Sequence, residues 1–244
     1  MEELKQERLE REKEFHNNVF VSGARAVTDK YYKSATESKE FYHQKILENV
    51  SNKTVLEYGC GPGSLAFTLA EQGAKVYGID ISDVAINLGM KEADERGLAI
   101  NFSVMNAESL DFDDNTFDVI CGTGILHHLD LEKAYSELNR VLKPGAKAIF
   151  FEPLGHNIFI NVYRDMTPSM RTEDEHPLLM KDIEYANGFF KKTEVNYFNL
   201  TSTLSSFIPT LNNVLTKVDK AIFTWMPFLR KYSWIVVIEF SDPK

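Results

Sequence analysis

Residues 54–80, TVLEYGCGPGSLAFTLAEQGAKVYGID, decide how this chain is read. Thr54–Tyr58 is a short apolar run of strand character that feeds the turn Gly59-Cys60-Gly61-Pro62-Gly63. A helix is predicted from Ser64 to Gln72, ended by Gly73, and a second strand over Ala74–Ile79, ending at Asp80. A glycine-rich turn between a parallel strand and a helix lets a ligand approach the backbone closely, with the helix N-terminus beside it. An acid at the end of the next strand is placed to accept from both hydroxyls of a ribose. Asp80 follows the turn by the spacing of about twenty residues that ribose reading uses. Taken alone, a structural turn and a helix-capping acid account for the same residues.

The strand–helix alternation continues downstream. Ser82 or Asp83 caps a helix that runs to Arg96 and stops at Gly97. Ile100–Val104 and Phe117–Cys121 read as strands, Leu131–Leu142 as a helix, and Lys143-Pro144-Gly145 as the turn into a fifth strand, Ala146–Phe151. This order specifies a parallel sheet with helices on both faces. Upstream, the first twenty residues form a charged helix whose apolar face (Leu4, Phe15, Val19) is too sparse to stand alone, and residues 37–50 form another helix. Residues 153–177, with Pro153, Pro168 and Pro177, read as a lid or binding loop. Lys181–Ala186 is helical, and Thr193–Leu200 and Trp234–Phe240 are strands. Between those strands runs an apolar helical stripe (Leu204, Phe207, Ile208, Leu211, Val214, Leu215, Val218, Ala221, Ile222, Trp225), read as core or cap packing. A pocket wall or dimer face is the alternative; a membrane-surface helix would carry more cations than Lys217 and Lys220. The expected organisation is a single domain: helices over 1–50, a core over 53–152, a lid over 153–190, and last strands over 191–244 with a helical insertion at 201–232.

Composition bounds the function. The 244 residues hold 27 Lys+Arg against 36 Asp+Glu, a net charge of −9, and are 43% hydrophobic. That balance disfavours a nucleic-acid partner, whose grip comes mostly from Lys and Arg. Two cysteines exclude a disulfide framework and a Cys-rich zinc module. With a charged N-terminal stretch and no long apolar run, no targeting or membrane-inserted segment is expected, and the expected address is the cytoplasm.

The glycine register separates two nucleotide-binding patterns. A dinucleotide fingerprint, G-x-G-x-x-G, would place its third glycine at Ser64, whereas this chain reads Gly59-x-Gly61-x-Gly63, preceded by Glu57. That arrangement resembles motif I of the class I S-adenosylmethionine (SAM)-dependent methyltransferases, of the methyltransferase-11/UbiE-like kind. Asn106-Ala107-Glu108 after the third strand, Phe117-Asp118-Val119-Ile120, Gly124–Leu129 and Arg140–Gly145 agree with it. The resemblance implies a Rossmann-like doubly wound α/β fold whose seven-stranded sheet has the order 3-2-1-4-5-7-6, with one antiparallel strand. It further implies SAM as cofactor. Gly59, Gly61 and Gly63, next to Glu57, would pass under its methionyl part, and Asp80 with Ile81 would hold the ribose. Asn106 and Ala107 would meet the adenine, the carbonyl near Cys121 the ammonium, and Tyr32 would close over the cofactor.

A sulfonium is an activated methyl donor, so the protein needs a base only where the acceptor must lose a proton. His127 and His128 follow the fourth strand, and His176 lies in the lid run Arg171-Thr172-Glu173-Asp174-Glu175-His176-Pro177; these three are the candidate bases. Packing under the lid or a plain solvated loop would explain them equally. Arg171, Glu175, His156 and, if the first helix folds back, His16 are candidate substrate contacts. The lid acids and His176 offer ligand types without a recurring metal spacing, so no metal is expected. Cys60 and Cys121, on neighbouring strands, read as small packed residues rather than a redox pair. The expected activity is methyl transfer to a small-molecule acceptor, O-methylation first, in a mostly enclosed pocket; a homo-oligomer is compatible with it. The alternatives are a SAM-binding protein without transfer and an NAD-dependent oxidoreductase.

Overall fold

The computed structural model describes residues 2–22, 35–48, 50–166, 175–206 and 208–244. Tyr31, Tyr32, Arg171 to Asp174 and Phe207 lie outside the described residues. Two helices, α1 (Glu2–Ser22) and α2 (Thr36–Leu47), precede the first strand. The core then runs β1 (Thr54–Tyr58), α3 (Ala66–Glu71), β2 (Lys75–Asp80), α4 (Asp83–Arg96), β3 (Ile100–Val104), β4 (Phe117–Thr123), α5 (Leu131–Val141) and β5 (Leu142–Pro153). It continues with α6 (Ile158–Met166), α7 (Met180–Tyr185), β6 (Phe190–Phe198), α8 (Asn212–Trp225) and β7 (Ile235–Pro243).

The seven strands form one sheet in the order β3-β2-β1-β4-β5-β7-β6, as the resemblance implied. β1 to β5 pair in parallel, while β7 runs antiparallel to both β5 and β6. Period-two alternation splits the strand residues between two cores. Leu56, Ile120, Phe150, Val236 and Ile238 face α5 and α7, through Tyr135, Leu138 and Ile183. Val55, Val76, Val119, Ile149 and Val237 face α2, α3 and α4, through Tyr42, Phe67 and Ile86. Burying each such side chain stabilises the fold by about 1.5–3 kcal/mol.

Local chemistry sets the element ends. Ser82 caps α4, its hydroxyl accepting from Ala85 N at 3.1 Å, and Asp130 caps α5 through Lys133 N. The Lys-Pro-Gly turn belongs to β5 rather than preceding it. Leu142 pairs with Phe117, the register then slips, and Lys147 pairs with Val119, so residues 143–146 bulge from the ladder. Within the 153–177 segment, Ile158–Met166 is helical, an element the prolines had hidden.

The 204–225 stripe is not one buried helix. Pro209 opens a separate 3₁₀ turn over Pro209–Leu211, and α8 starts only at Asn212. Leu204, Ile208, Val214 and Trp225 are exposed, Trp225 by 84%, which corrects the core-packing expectation. The buried residue of α8 is Asp219. Its carboxylate accepts from the Leu200, Thr201 and Ser202 amides and from the Thr201 and Ser202 hydroxyls, which turns the chain out of β6.

α1 docks on the core, as its sparse apolar face required, and does so through polar contacts. Asn17 Nδ2 donates to Asp83 Oδ1 at 3.1 Å, and Lys13 pairs with the same carboxylate at 3.1 Å. Ser82 Oγ donates to Asn17 Oδ1 at 2.5 Å. Among the described residues, no helix is long and apolar enough to cross a membrane.

Candidate active site

A cleft opens at the C-terminal ends of β1, β2, β3 and β4. In a doubly wound sheet this is where ligands bind, since the chain there diverges to opposite faces. Gly59, Asp80, Ile81, Asn106 and Ala107 line one side, with Thr123, Gly124 and Ile125 from the β4 end. Arg8, Leu9, Glu12 and His16 of α1 form the opposite wall together with His128.

The glycine turn keeps its shape through Glu57 and Asp80. Glu57 is buried, and its carboxylate accepts from Ser64 Oγ at 2.7 Å, Leu65 N at 2.9 Å and Ala66 N at 2.8 Å, capping α3. Burial pushes its acid up from 4.5 to about 7 against those three donors, with Asp80 adding to the rise. Asp80 Oδ2 accepts from Gly61 N at 2.8 Å, and Oδ1 from Ser82 N at 2.9 Å. Gly59 and Gly63 have positive φ, +71° and +92°. A Cβ on Gly59 would fall 2.8 Å from Ile125, and one on Gly63 2.9 Å from Phe102. Only glycine fits both conformation and space.

Other residues assigned by position sit beside the lining of the cleft. Glu57 and Gly61 hold the turn through hydrogen bonds, and Gly63 through its positive φ. Cys121 is fully buried in β4, and the cleft is bordered two residues later by Thr123. Burial raises both thiols, Cys60 and Cys121, so they stay protonated, as small packed residues should. Tyr32 and Arg171 lie outside the described residues.

The histidines separate by environment. His128 lines the cleft, and His16 reaches it because α1 folds back. His127 is buried behind His128, ring centroids 4.3 Å apart, with Nδ1 2.7 Å from Glu152 Oε2. Glu152, fully buried at the end of β5, also accepts from Ile125 N at 2.8 Å and Leu126 N at 2.9 Å. One carboxylate thus fixes both the Leu126–His128 turn and the His127 ring. Glu175 Oε1 sits 3.9 Å from His127 Nε2 and 2.7 Å from Arg164. His176 is the exception among the candidate bases. Its amide donates to the His127 carbonyl at 3.2 Å, while its side chain is exposed. His156 also turns away from the cleft, its Nε2 accepting from Met180 N at 3.3 Å.

Sequence reasoning missed Arg8, Glu12, Glu108 and Glu152. Arg8 donates to the His128 carbonyl at 3.1 Å and pairs with the buried carboxylate of Glu108, which also accepts from Asp130 N at 2.9 Å. Glu12 and His16 carry the one legible signal, an i,i+4 pair on a single helix face.

Comparison with known proteins agrees with this architecture. Residues 56–150 match the family described as "Methyltransferase domain". The chain is 33% identical over 125 residues to the ubiquinone biosynthesis O-methyltransferase of Coxiella burnetii, covering 51% of this chain and 52% of that protein. It is 36% identical over 117 residues to the demethylmenaquinone methyltransferase of Thermus thermophilus, covering 46% and 53%. Among solved structures, phosphoethanolamine N-methyltransferase 2 of Haemonchus contortus in complex with SAM superposes with a TM-score of 0.63. It is 19% identical, over 86% of this chain and 53% of that one. The chain spans about half the length of the curated relatives it matches. With the strand order, the glycine register and the cleft at Asp80, these matches make residues 56–150 a class I SAM-dependent methyltransferase domain.

Proposed function

We propose that this chain transfers the methyl group of SAM to a hydroxyl of a small-molecule acceptor. The observation that carries the proposal is a cleft lined by Gly59, Asp80 and Asn106, with the buried His127–Glu152 pair directly behind its His128 edge. The residues present suit the cofactor. Asp80 offers two carboxylate oxygens to a ribose diol, Asn106 an amide to an adenine edge, and Gly59 a side-chain-free floor. When bound, SAM supplies a methyl group already activated on a sulfonium.

What remains for the protein is to position, to exclude water and to accept a proton. Arg8, Leu9, Glu12 and His16 bring α1 to the cleft, where the helix would limit the access of water to the reacting groups. The candidate base is His127. Glu152 engages its Nδ1, which holds the ring and leaves Nε2 on the side of Glu175 to take the hydroxyl proton. An oxygen acceptor also accords with the O-methyltransferase of Coxiella burnetii among the relatives.

Calorimetry with SAM and its demethylated product, on wild type and Asp80→Ala with NAD as the control, tests the cofactor assignment. Losing hydrogen bonds to a charged group costs about 1.5–3 kcal/mol, so Asp80→Ala should bind SAM roughly 10- to 150-fold more weakly. No SAM binding, or binding indifferent to Asp80, refutes the reading.

A further inference from the structure

The α1 wall of the cleft carries a feature that methyl transfer does not require. Glu12 Oε2 lies 3.5 Å from His16 Nε2 and 3.3 Å from His128 Nδ1, and the three ligand atoms fall within 4.8 Å of one another. His128 Nδ1 is buried and has no hydrogen-bond partner, although a carboxylate oxygen is 3.3 Å away. The contact is too long and too poorly aimed for a charge-assisted hydrogen bond, which would close to about 2.7–2.9 Å. Around a tetrahedral ion with ligand distances near 2.0–2.1 Å, by contrast, neighbouring ligand atoms stand about 3.3–3.4 Å apart. The three ligand atoms thus stand close enough together for one ion to reach all of them.

We propose that Glu12, His16 and His128 form a binding site for a divalent transition-metal cation of the zinc class. Two imidazoles and one carboxylate are a ligand set that zinc takes, and three protein ligands leave a fourth position open to the cleft. The site joins two segments, since α1 supplies Glu12 and His16 from one helix face and the turn after β4 supplies His128. Occupancy would therefore fasten α1 across the cleft, adding to the grip of Arg8 on the His128 carbonyl. A second grouping, His127, His128 and Glu175, shares His128 and is the weaker candidate. Its Nε2–Oε1 separation is 3.9 Å, and the Arg164 guanidinium already neutralises Glu175 at 2.7 Å. The i,i+4 pair Glu12–His16 is legible on α1, but its third member, His128, lies over a hundred residues away and joins it only where α1 folds back.

The site stands independently of the methyl-transfer reading, and its test reads metal directly. The full chain, stripped with chelator and dialysed, is titrated with Zn²⁺, and with Co²⁺ for its visible absorption. The expected result is one equivalent bound per chain, with an intense four-coordinate Co²⁺ band. Affinity should fall at least about 100-fold in both His16→Ala and His128→Ala. His16 lies on the face of a docked helix, so His16→Ala keeps the test decisive should His128→Ala fail to fold; circular dichroism checks each variant. Absence of stoichiometric binding overturns the proposal. So does binding that survives His16→Ala and is lost instead in Glu175→Gln, which would place the ion in the other grouping.

Discussion

Glu57 couples the glycine turn to pH. Its carboxylate is buried between β1 and α3, takes three donors there, and has its acid raised from 4.5 to about 7. Between pH 4.5 and 7 the folded chain keeps a proton that the unfolded chain has shed. The stability this proton confers is therefore fully present below pH 4.5 and is lost as pH rises through 7. At about 1.4 kcal/mol per pH unit the loss amounts to about 3 kcal/mol. Asp118, Asp130 and Glu137, whose acids are lowered by Lys143, Lys133 and Arg140, act at lower pH with the opposite sign. His43, lowered by burial, also opposes Glu57 near neutrality, so the measurement must be differential. Glu57→Gln keeps the shape and removes the titration, at a pH-independent cost of about 1–3 kcal/mol because an amide NH₂ replaces one accepting oxygen. Urea unfolding at pH 5 and pH 8 should show wild type losing about 2.5 kcal/mol more than Glu57→Gln between the two. Equal losses in both proteins would refute the argument that burial of Glu57 governs its proton.

Glu152→Ala orphans the Ile125 and Leu126 amides and frees the His127 ring; it should lower turnover strongly while SAM affinity, read by calorimetry, changes little. If Glu152 were merely structural, the two readouts would fall together. Gly63→Ala forces a side chain into φ +92° against Phe102 and Phe67, at about 1–3 kcal/mol for the backbone alone, and should lower Tm by several degrees in a thermal melt. Asp219→Ala removes the acceptor of the Leu200, Thr201 and Ser202 amides and should speed hydrogen exchange at those three positions without altering SAM binding.

What the sequence made legible follows from locality. Strand order, the Ser82 and Asp130 caps, and the places of Gly59, Asp80, Asn106 and Ala107 are set within a few residues or by the repeating β–α register. Glu57 was legible as part of motif I, but its capping of α3 was not, and Glu152 looks like an ordinary strand-end acid, because serving backbone amides leaves no mark in sequence. The apolar stripe misled because period 3.6 was counted across Pro209, which divides it into separate pieces with exposed faces. His176 meets the site through its backbone amide, which donates to the His127 carbonyl, while its ring is exposed, a distinction between main chain and side chain that no motif carries.

The α1 wall shows why cofactor and acceptor sides of such a cleft are hard to separate. Glu108 follows the adenine-side pair Asn106–Ala107 by one residue, and its buried carboxylate holds both Asp130 N, at the start of α5, and Arg8 of α1. Arg8 in turn holds the carbonyl of His128. The turn proposed to read adenine, the turn that carries the histidines and the helix that covers both are thus joined through one buried ion pair. Removing Arg8 would leave Glu108 with a desolvated charge and one backbone donor, which costs far more than the loss of an exposed pair. The same Arg8 contacts hold α1 where Glu12 and His16 stand beside His128, so the adenine-side turn and the α1 side of the cleft share one buried anchor.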